Sequence, residues 1–250
     1  MTPENAQALE PKPGGMSELS RVAGIFFEPG KTYADIAARP TFLLPIVLMI
    51  LAGLASSYTI SQKIGWERIF RHQAETSSRM QQMPPDQREQ AISMQVKFGT
   101  VGAYVGPVIA VPLVALIEAA LFLGIVAGIM SAPVRFKQIF AVVCWTGIVY
   151  LVTSILTIIV IFVKNPDDFN MQNPLAFNPA AFMDADTSSK FLYSLASSID
   201  LLSFWTMFLL ATGLKAAAGK KLSFGGALFA VLLPWGVYVL GKSALAGVFS

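Results

Sequence analysis

The chain has 250 residues, of which 54% are apolar and only 13% charged, with a formal net charge of +3. An average soluble chain carries about 25% charged residues, so this one cannot cover a water-facing surface with charge, and its mean hydropathy of +0.60 points the same way. No Lys/Arg run is longer than Lys220–Lys221, which argues against nucleic acid as a partner. With one cysteine, Cys144, and one histidine, His72, there is no intrachain disulfide and no Cys/His metal cluster.

Residues 1–16 (MTPENAQALEPKPGGM) carry three Pro and two Gly and read as a disordered tail. No cleavable signal peptide is visible, because the first apolar run does not begin until about Thr41. Residues 17–40 read as two short amphipathic helices. In the first, Leu19, Val22, Ala23, Phe26 and Phe27 fall at helical spacing, with Ser17 as N-cap. Pro29–Gly30 separates it from a second helix, which Pro40 ends. Helices of this kind suit the membrane interface or pack on the protein's own loops.

The rest of the chain, 41–250, reads as an all-α membrane domain of about five transmembrane helices. The spans fall at about 41–60, 107–130, 138–163, 191–214 and 224–248, each long enough to cross a hydrocarbon layer about 30 Å thick. Between the first two lies a polar helical loop, 61–97, divided at Pro84–Pro85. The second apolar run, 98–130, is longer than the bilayer needs, and Pro107 and Pro112 predict a kinked or tilted span with 98–106 continuing out of the membrane. Lys and Arg fall equally on the two sides. The two short loops on the amino-terminal side are basic without acids, which predicts a cytoplasmic N-terminus and an external C-terminus.

Two stretches carry a family resemblance. Phe27-Glu28-Pro29, then Thr32-Tyr33, Ile36, Arg39-Pro40 and Pro45, resemble the start of bacterial Yip1-domain proteins. FKQIFAVVCWTGIVYLV (136–152) resembles that family's third-span opening, and LSFGGALFAVLLPWGVYVL its last helix. The resemblance covers about residues 17–248. It departs where Ile148-Val149-Tyr150 stand in place of a frequent proline, and the Asp-Leu-Tyr-Gly-Pro motif of eukaryotic members is absent. It implies five spans, residence in a bacterial inner membrane and no established chemistry. The Rab-GTPase partnership of eukaryotic members does not carry over.

Polar groups within apolar runs are the candidate site. Glu118 sits near the middle of the second run. An acid there costs roughly 2.5–3.5 kcal/mol on insertion scales, so it needs a partner or water. It is either a proton- or cation-handling carboxylate or a protonated hydrogen bond between helices. Asp200 lies mid-way along the fourth span, with Ser197 and Ser203 three residues to either side on the same broad face and Ser194 and Thr206 further along it. This set either lines a small cavity or bonds helices together. Gly102/Gly106 and Gly124/Gly128 match a close-packing spacing and are expected to pack within the bundle. Three Asn-Pro units, at Asn165, Asn173 and Asn178, each precede a Phe, at Phe169, Phe177 and Phe182. They form either an aromatic knuckle at the headgroups or a chance repeat. No nucleophile motif, phosphate loop or dinucleotide fingerprint occurs. The chain is expected to be no enzyme, to hold no cofactor or metal, and to have the lipid bilayer and other membrane proteins as partners. Its expected role is that of a scaffold or organiser of membrane proteins or lipids. The alternative is a small transporter or channel component using Glu118 and Asp200.

Overall fold

The computed structural model describes residues 15–165, 169–171, 173–184 and 187–248. The tail expected at 1–16 therefore lies almost wholly outside the described residues. Among those described, every regular element is helical. Five helical segments are long and apolar enough to cross a membrane: Leu43–Lys63, Pro85–Ile129, Phe136–Val163, Leu201–Lys221 and Phe224–Val248. The chain is an integral, multi-pass membrane protein.

Helix α1 (Glu18–Phe27) starts where Ser17 Oγ accepts from the Ser20 amide, and α2 (Pro29–Ala38) follows with proline in its first turn. The apolar face of α2 is covered by protein, whereas α1 turns Arg21, Gly24 and Ile25 inward rather than its Leu19, Ala23 and Phe27 side. Ile25, Tyr33 and Ile36 are fully buried in the main core with Val142, Trp145 and Leu209. Leu19 and Phe27 stay exposed. The first membrane helix, α3 (Leu43–Lys63), carries Pro45 in its first turn, where no hydrogen bond is lost.

The polar loop forms α4 (Trp66–Thr76), the single turn α5 (Ser78–Gln81) and the first part of α6 (Pro85–Leu123). Helix α4 packs on α6, and Arg71 ties them by reaching Glu89 at 3.1 Å while also holding Glu67 at 3.0 Å. Helix α6 runs unbroken through Pro107 and Pro112 and ends in a π turn, Gly124–Ile129. At 1.5 Å per residue the 45 residues extend about 68 Å, roughly twice the hydrocarbon thickness, so much of the helix projects from the membrane.

The remaining apolar segments are less regular than their hydropathy suggests. The third divides into α7 (Phe136–Thr146) and α8 (Val149–Val163), with a turn at Gly147–Ile148. The stretch 191–214, expected as one span, divides into α9 (Lys190–Ser198) and α10 (Leu201–Ala218). Helix α9 is too short to cross and instead packs along α11 (Phe224–Val248). Helix α7 is central: α2, α6 and α10 all pack on it, while α3 packs on α6 and α8. Gly213 of α10 permits a close approach, because a Cβ there would stand 2.4 Å from a Val142 methyl and 2.8 Å from the Tyr33 ring.

A buried cation pins α1 and α2 to this bundle. Arg21 is only 2% exposed. Its Nε donates to Asp35 Oδ2 at 2.8 Å, one terminal nitrogen donates to Thr41 Oγ1 at 2.7 Å, and the other to the Arg39 carbonyl at 3.1 Å. The guanidinium also lies 5.7 Å from the Trp145 ring centre, in range for a cation–π contact. Asp35 takes a further hydrogen bond from Arg39. Burial alone would raise the Asp35 pKa, but hydrogen bonds from Arg39, Arg21 and the Met16 amide hold the carboxyl below the ordinary aspartate value.

Removing Arg21 leaves Asp35 without its buried partner. Arg21→Ala is expected to cost about 3 kcal/mol, read as a lower thermal midpoint in detergent, with Arg21→Lys intermediate because it loses the forked geometry. The folded value of Asp35 lies below the unfolded value of about 3.9. Its stabilisation is therefore complete above about pH 4 and lost as pH falls through the folded value, so acid melts should converge for wild type and variant.

Candidate functional site

The two interrupted segments face each other. Between the α7/α8 turn, the start of α10 and the loop 173–178 lies a cavity of about 370 Å³, within the usual range for small-molecule sites. Thr146, Gly147, Tyr150 and Thr153 line one side, and Ser197, Asp200, Ser203 and Thr206 another. Asn173, Phe177 and Asn178 close it from the loop.

Asp200 owes its position to helix capping. Rather than sitting mid-helix as expected, it is the N-cap of α10, where its Oδ1 accepts from the amides of Leu202 at 2.9 Å and Ser203 at 3.0 Å. Aspartate is among the best residues for this role because it satisfies amide donors that have no partner within the helix. Ser203 Oγ donates to Asp200 Oδ2. Ser197 and Ser198 both donate to the Ser194 carbonyl, at 3.0 and 2.7 Å, closing the last turn of α9 before the break.

The loop over the cavity is held by a reciprocal amide pair. Asn173 Nδ2 donates to Asn178 Oδ1 at 3.0 Å, and Asn178 Nδ2 donates to Asn173 Oδ1 at 2.8 Å. The Ala176 amide also donates to Asn173 Oδ1 while Ala176 itself sits at φ +53°, a left-handed conformation that non-glycine residues adopt rarely. The Asn-Pro repeat thus gives its last two units a common structural role. Their aromatic rings diverge: Phe182 is 94% exposed and Phe177 half-exposed, while Phe169 packs on the small cluster of Ile60, Ile64, Trp66, Ile69 and Ile161. Residues 166–168 of the first unit lie outside the described residues.

Of the four expected site residues, Asp200, Ser197 and Ser203 share the cavity and Glu118 does not. Helix α6 carries Glu118 against α3 and α7, whereas α10 carries Asp200 against α2, α7 and α11. Glu118 is exposed at the bundle surface, and no hydrogen bond or ion pair reaches it among the described residues. The glycines also depart from expectation. A Cβ at Gly102, Gly106, Gly124 or Gly128 would meet nothing within 4 Å, so these pairs do not serve packing inside the bundle. Sequence reasoning missed Thr146, Tyr150 and Thr153, and it read Asn173 and Asn178 only as turn residues of the loop repeat, whereas Thr206 lies on the expected stripe and does line the cavity. The Thr146-Gly147 step and the repeated Asn-Pro were the available signals.

The N-terminal helices reach the cavity wall directly. Tyr33 Oη and Thr146 Oγ1 share a hydrogen bond of 2.6 Å in full burial. Burial raises the Tyr33 pKa and the bond to Thr146 only partly offsets it, so the phenol stays protonated. Gln138 accepts from the Arg135 amide at 3.1 Å, capping α7, and donates to the Ala37 carbonyl of α2 at 3.0 Å. Trp145 Nε1 donates to the Thr41 carbonyl at 2.8 Å. Tyr33, Ile36, Arg39 and Gln138, which carry the family resemblance, therefore gather along one seam.

The family profile of the Yip1 domain matches residues 23–245, from within α1 to the last turn of α11. The chain belongs to the Yip1-domain family. No curated protein and no solved structure matches it. The expected membrane location and five candidate spans agree with membership. Among the described residues no group of His, Cys, Asp or Glu could hold a metal ion.

The buried pair at the seam is open to a direct test. Tyr33→Phe and Thr146→Val should each destabilise the protein by about 1–3 kcal/mol, because each leaves a buried hydroxyl or ring edge without its partner. The double variant should cost less than the sum, with a coupling of about 1 kcal/mol in a double-mutant cycle of thermal or denaturant unfolding. Strict additivity would mean that the two hydroxyls do not interact.

Proposed function

We propose that this Yip1-domain chain is a non-enzymatic scaffold that organises other membrane proteins within the bilayer, with α6 as its docking helix. Glu118 carries the reading. An acidic residue exposed within a membrane-crossing helix, with no hydrogen bond or ion pair among the described residues, is costly in lipid. A polar group from a neighbouring helix would relieve that cost. Gly102, Gly106, Gly124 and Gly128 on the same helix are open to approach, and small residues let helix backbones come close where hydrocarbon supplies no hydrophobic drive. The membrane is taken to be a bacterial inner membrane, with the N-terminus in the cytoplasm. The rival reading, a transporter or channel component using Glu118 and Asp200, draws on the interrupted spans at the cavity. It has no contact between the two carboxylates to build a path on.

A photo-crosslinking residue placed at Ile117, which is exposed on α6, should yield protein adducts in intact membranes. The same residue at Leu240 on α11 should yield mainly lipid adducts. Gly124→Leu should remove the adducts formed at Ile117 by blocking close approach. Lipid adducts alone at Ile117 would sink the scaffold reading.

Orientation has its own check. A compartment-sensitive reporter fused after Gln82, in the turn before α6, is expected to report the external side. A cytoplasmic signal there would reverse the topology.

A further inference from the structure

The cavity at Asp200 has a chemical polarity that selects its occupant. Thr206 Oγ1 donates to the Leu202 carbonyl at 2.8 Å, Thr153 Oγ1 to the Val149 carbonyl at 3.4 Å and Ser197 Oγ to the Ser194 carbonyl at 3.0 Å. Ser203 Oγ donates to Asp200 itself. A hydroxyl has one hydrogen to donate and two lone pairs to accept with. With the hydrogens already engaged in the wall, these four side chains offer the cavity only lone pairs. Asp200 adds a carboxylate, of which Oδ1 is occupied by two amides while Oδ2 holds only the Ser203 hydroxyl. Among the described residues no Lys, Arg or His lines the space. Such a wall is complementary to a cation rich in N–H donors and hostile to an anion.

Size narrows the class. At about 30 Å³ per water, 370 Å³ is far more than a bare metal ion fills. The donors still available are the second amide hydrogens of Asn173 and Asn178 and the Tyr150 hydroxyl, which lies beside Gly53 of α3. They sit on the loop and at the α3 edge, apart from the carboxylate. A ligand with an ammonium at one end and an oxygen acceptor at the other would satisfy both sets.

We propose that the cavity binds a small organic ammonium of the amino-alcohol type, its ammonium on Asp200 Oδ2 and the hydroxyls of Ser197 and Thr206, and its oxygen toward Asn173 and Asn178. The group comes either from a free amine or from an ethanolamine lipid headgroup entering past the 173–178 loop. This assignment does not depend on the docking role of α6.

The test uses the full-length protein in detergent and in lipid nanodiscs, with ethanolammonium chloride as the soluble probe and sodium chloride as the ionic control. The expected result is a saturable rise in thermal midpoint with ethanolammonium that sodium does not reproduce. Affinity should fall at least tenfold in Asp200→Asn and stay unchanged in Glu28→Gln, a surface carboxylate far from the cavity. Asparagine caps helices as well as aspartate does, so the variant keeps α10 in place while losing the charge. Should its folding nevertheless suffer, Ser197→Ala and Thr206→Val each remove one acceptor and must weaken binding severalfold. Stabilisation by the soluble amine assigns a free ligand. Stabilisation only in phosphatidylethanolamine nanodiscs, relative to phosphatidylcholine, and lost in Asp200→Asn, assigns the headgroup. No response to either amine source, an equal response in Asp200→Asn, or an equal response to sodium would overturn the proposal.

Discussion

A buried guanidinium organises the amino-terminal half of this fold. Arg21 cannot leave water without an anion and acceptors for its remaining donors, since an unpaired charge in low dielectric is costly. Asp35, the Arg39 carbonyl and Thr41 supply them from three successive positions along the chain. Satisfying one cation thus fixes the angle between α1 and α2 and the point where the chain turns into α3. Trp145 completes the arrangement by placing its ring 5.7 Å from the guanidinium and donating to the Thr41 carbonyl. The amphipathic face of α2 is then held on α7 and α10, and the apolar area left for lipid contact at this end is confined to residues such as Leu19 and Phe27.

The same seam conditions the cavity. Tyr33 touches Thr146, which is both the last residue of α7 and part of the cavity wall. Gly213 lets the Tyr33 ring lie against α10, the helix that Asp200 caps. Both interrupted spans are therefore held from the amino-terminal helices. In a membrane, broken backbone is tolerated only where other protein groups or a wet cavity satisfy it. Asp200, Ser203 and the hydroxyls of Ser197 and Ser198 do this at the α9/α10 break, and the cavity supplies the polar surroundings.

The spans were legible in the sequence because hydropathy over twenty residues dominates any local signal. Their interruptions were not. Ile199-Asp200 contains neither Pro nor Gly, and a Ser-rich helix tolerates Asp in a polar stripe, so an interior position and an N-cap read alike. What separates them is the Asp-x-x-Ser spacing that allows the cap. That signal is too common to outweigh a continuous apolar run. Glycine spacing was legible as a capacity for close packing, but not which face of α6 the bundle would leave open. Whether Glu118 meets Asp200 depends on which helices neighbour each other, and hydropathy carries no information on that order. The loop repeat announced turns, yet the reciprocal pairing of Asn173 with Asn178 arises only because the Asn-Pro step recurs after five residues.

Glu118 and Asp200 end in opposite situations although each is a lone acid in an apolar stretch. Asp200 has its carboxylate fixed by two amides and a hydroxyl at the start of α10, and it lines the cavity. Glu118 has no such donors among the described residues and reaches the surface of α6, where a neighbouring helix could meet it. One acid is bonded into the protein, and the other has no hydrogen bond or ion pair among the described residues. On the readings proposed above, the cavity takes a small polar ligand and the outer face of α6 takes other helices, and the α1–α2 seam would hold both to one frame through α7.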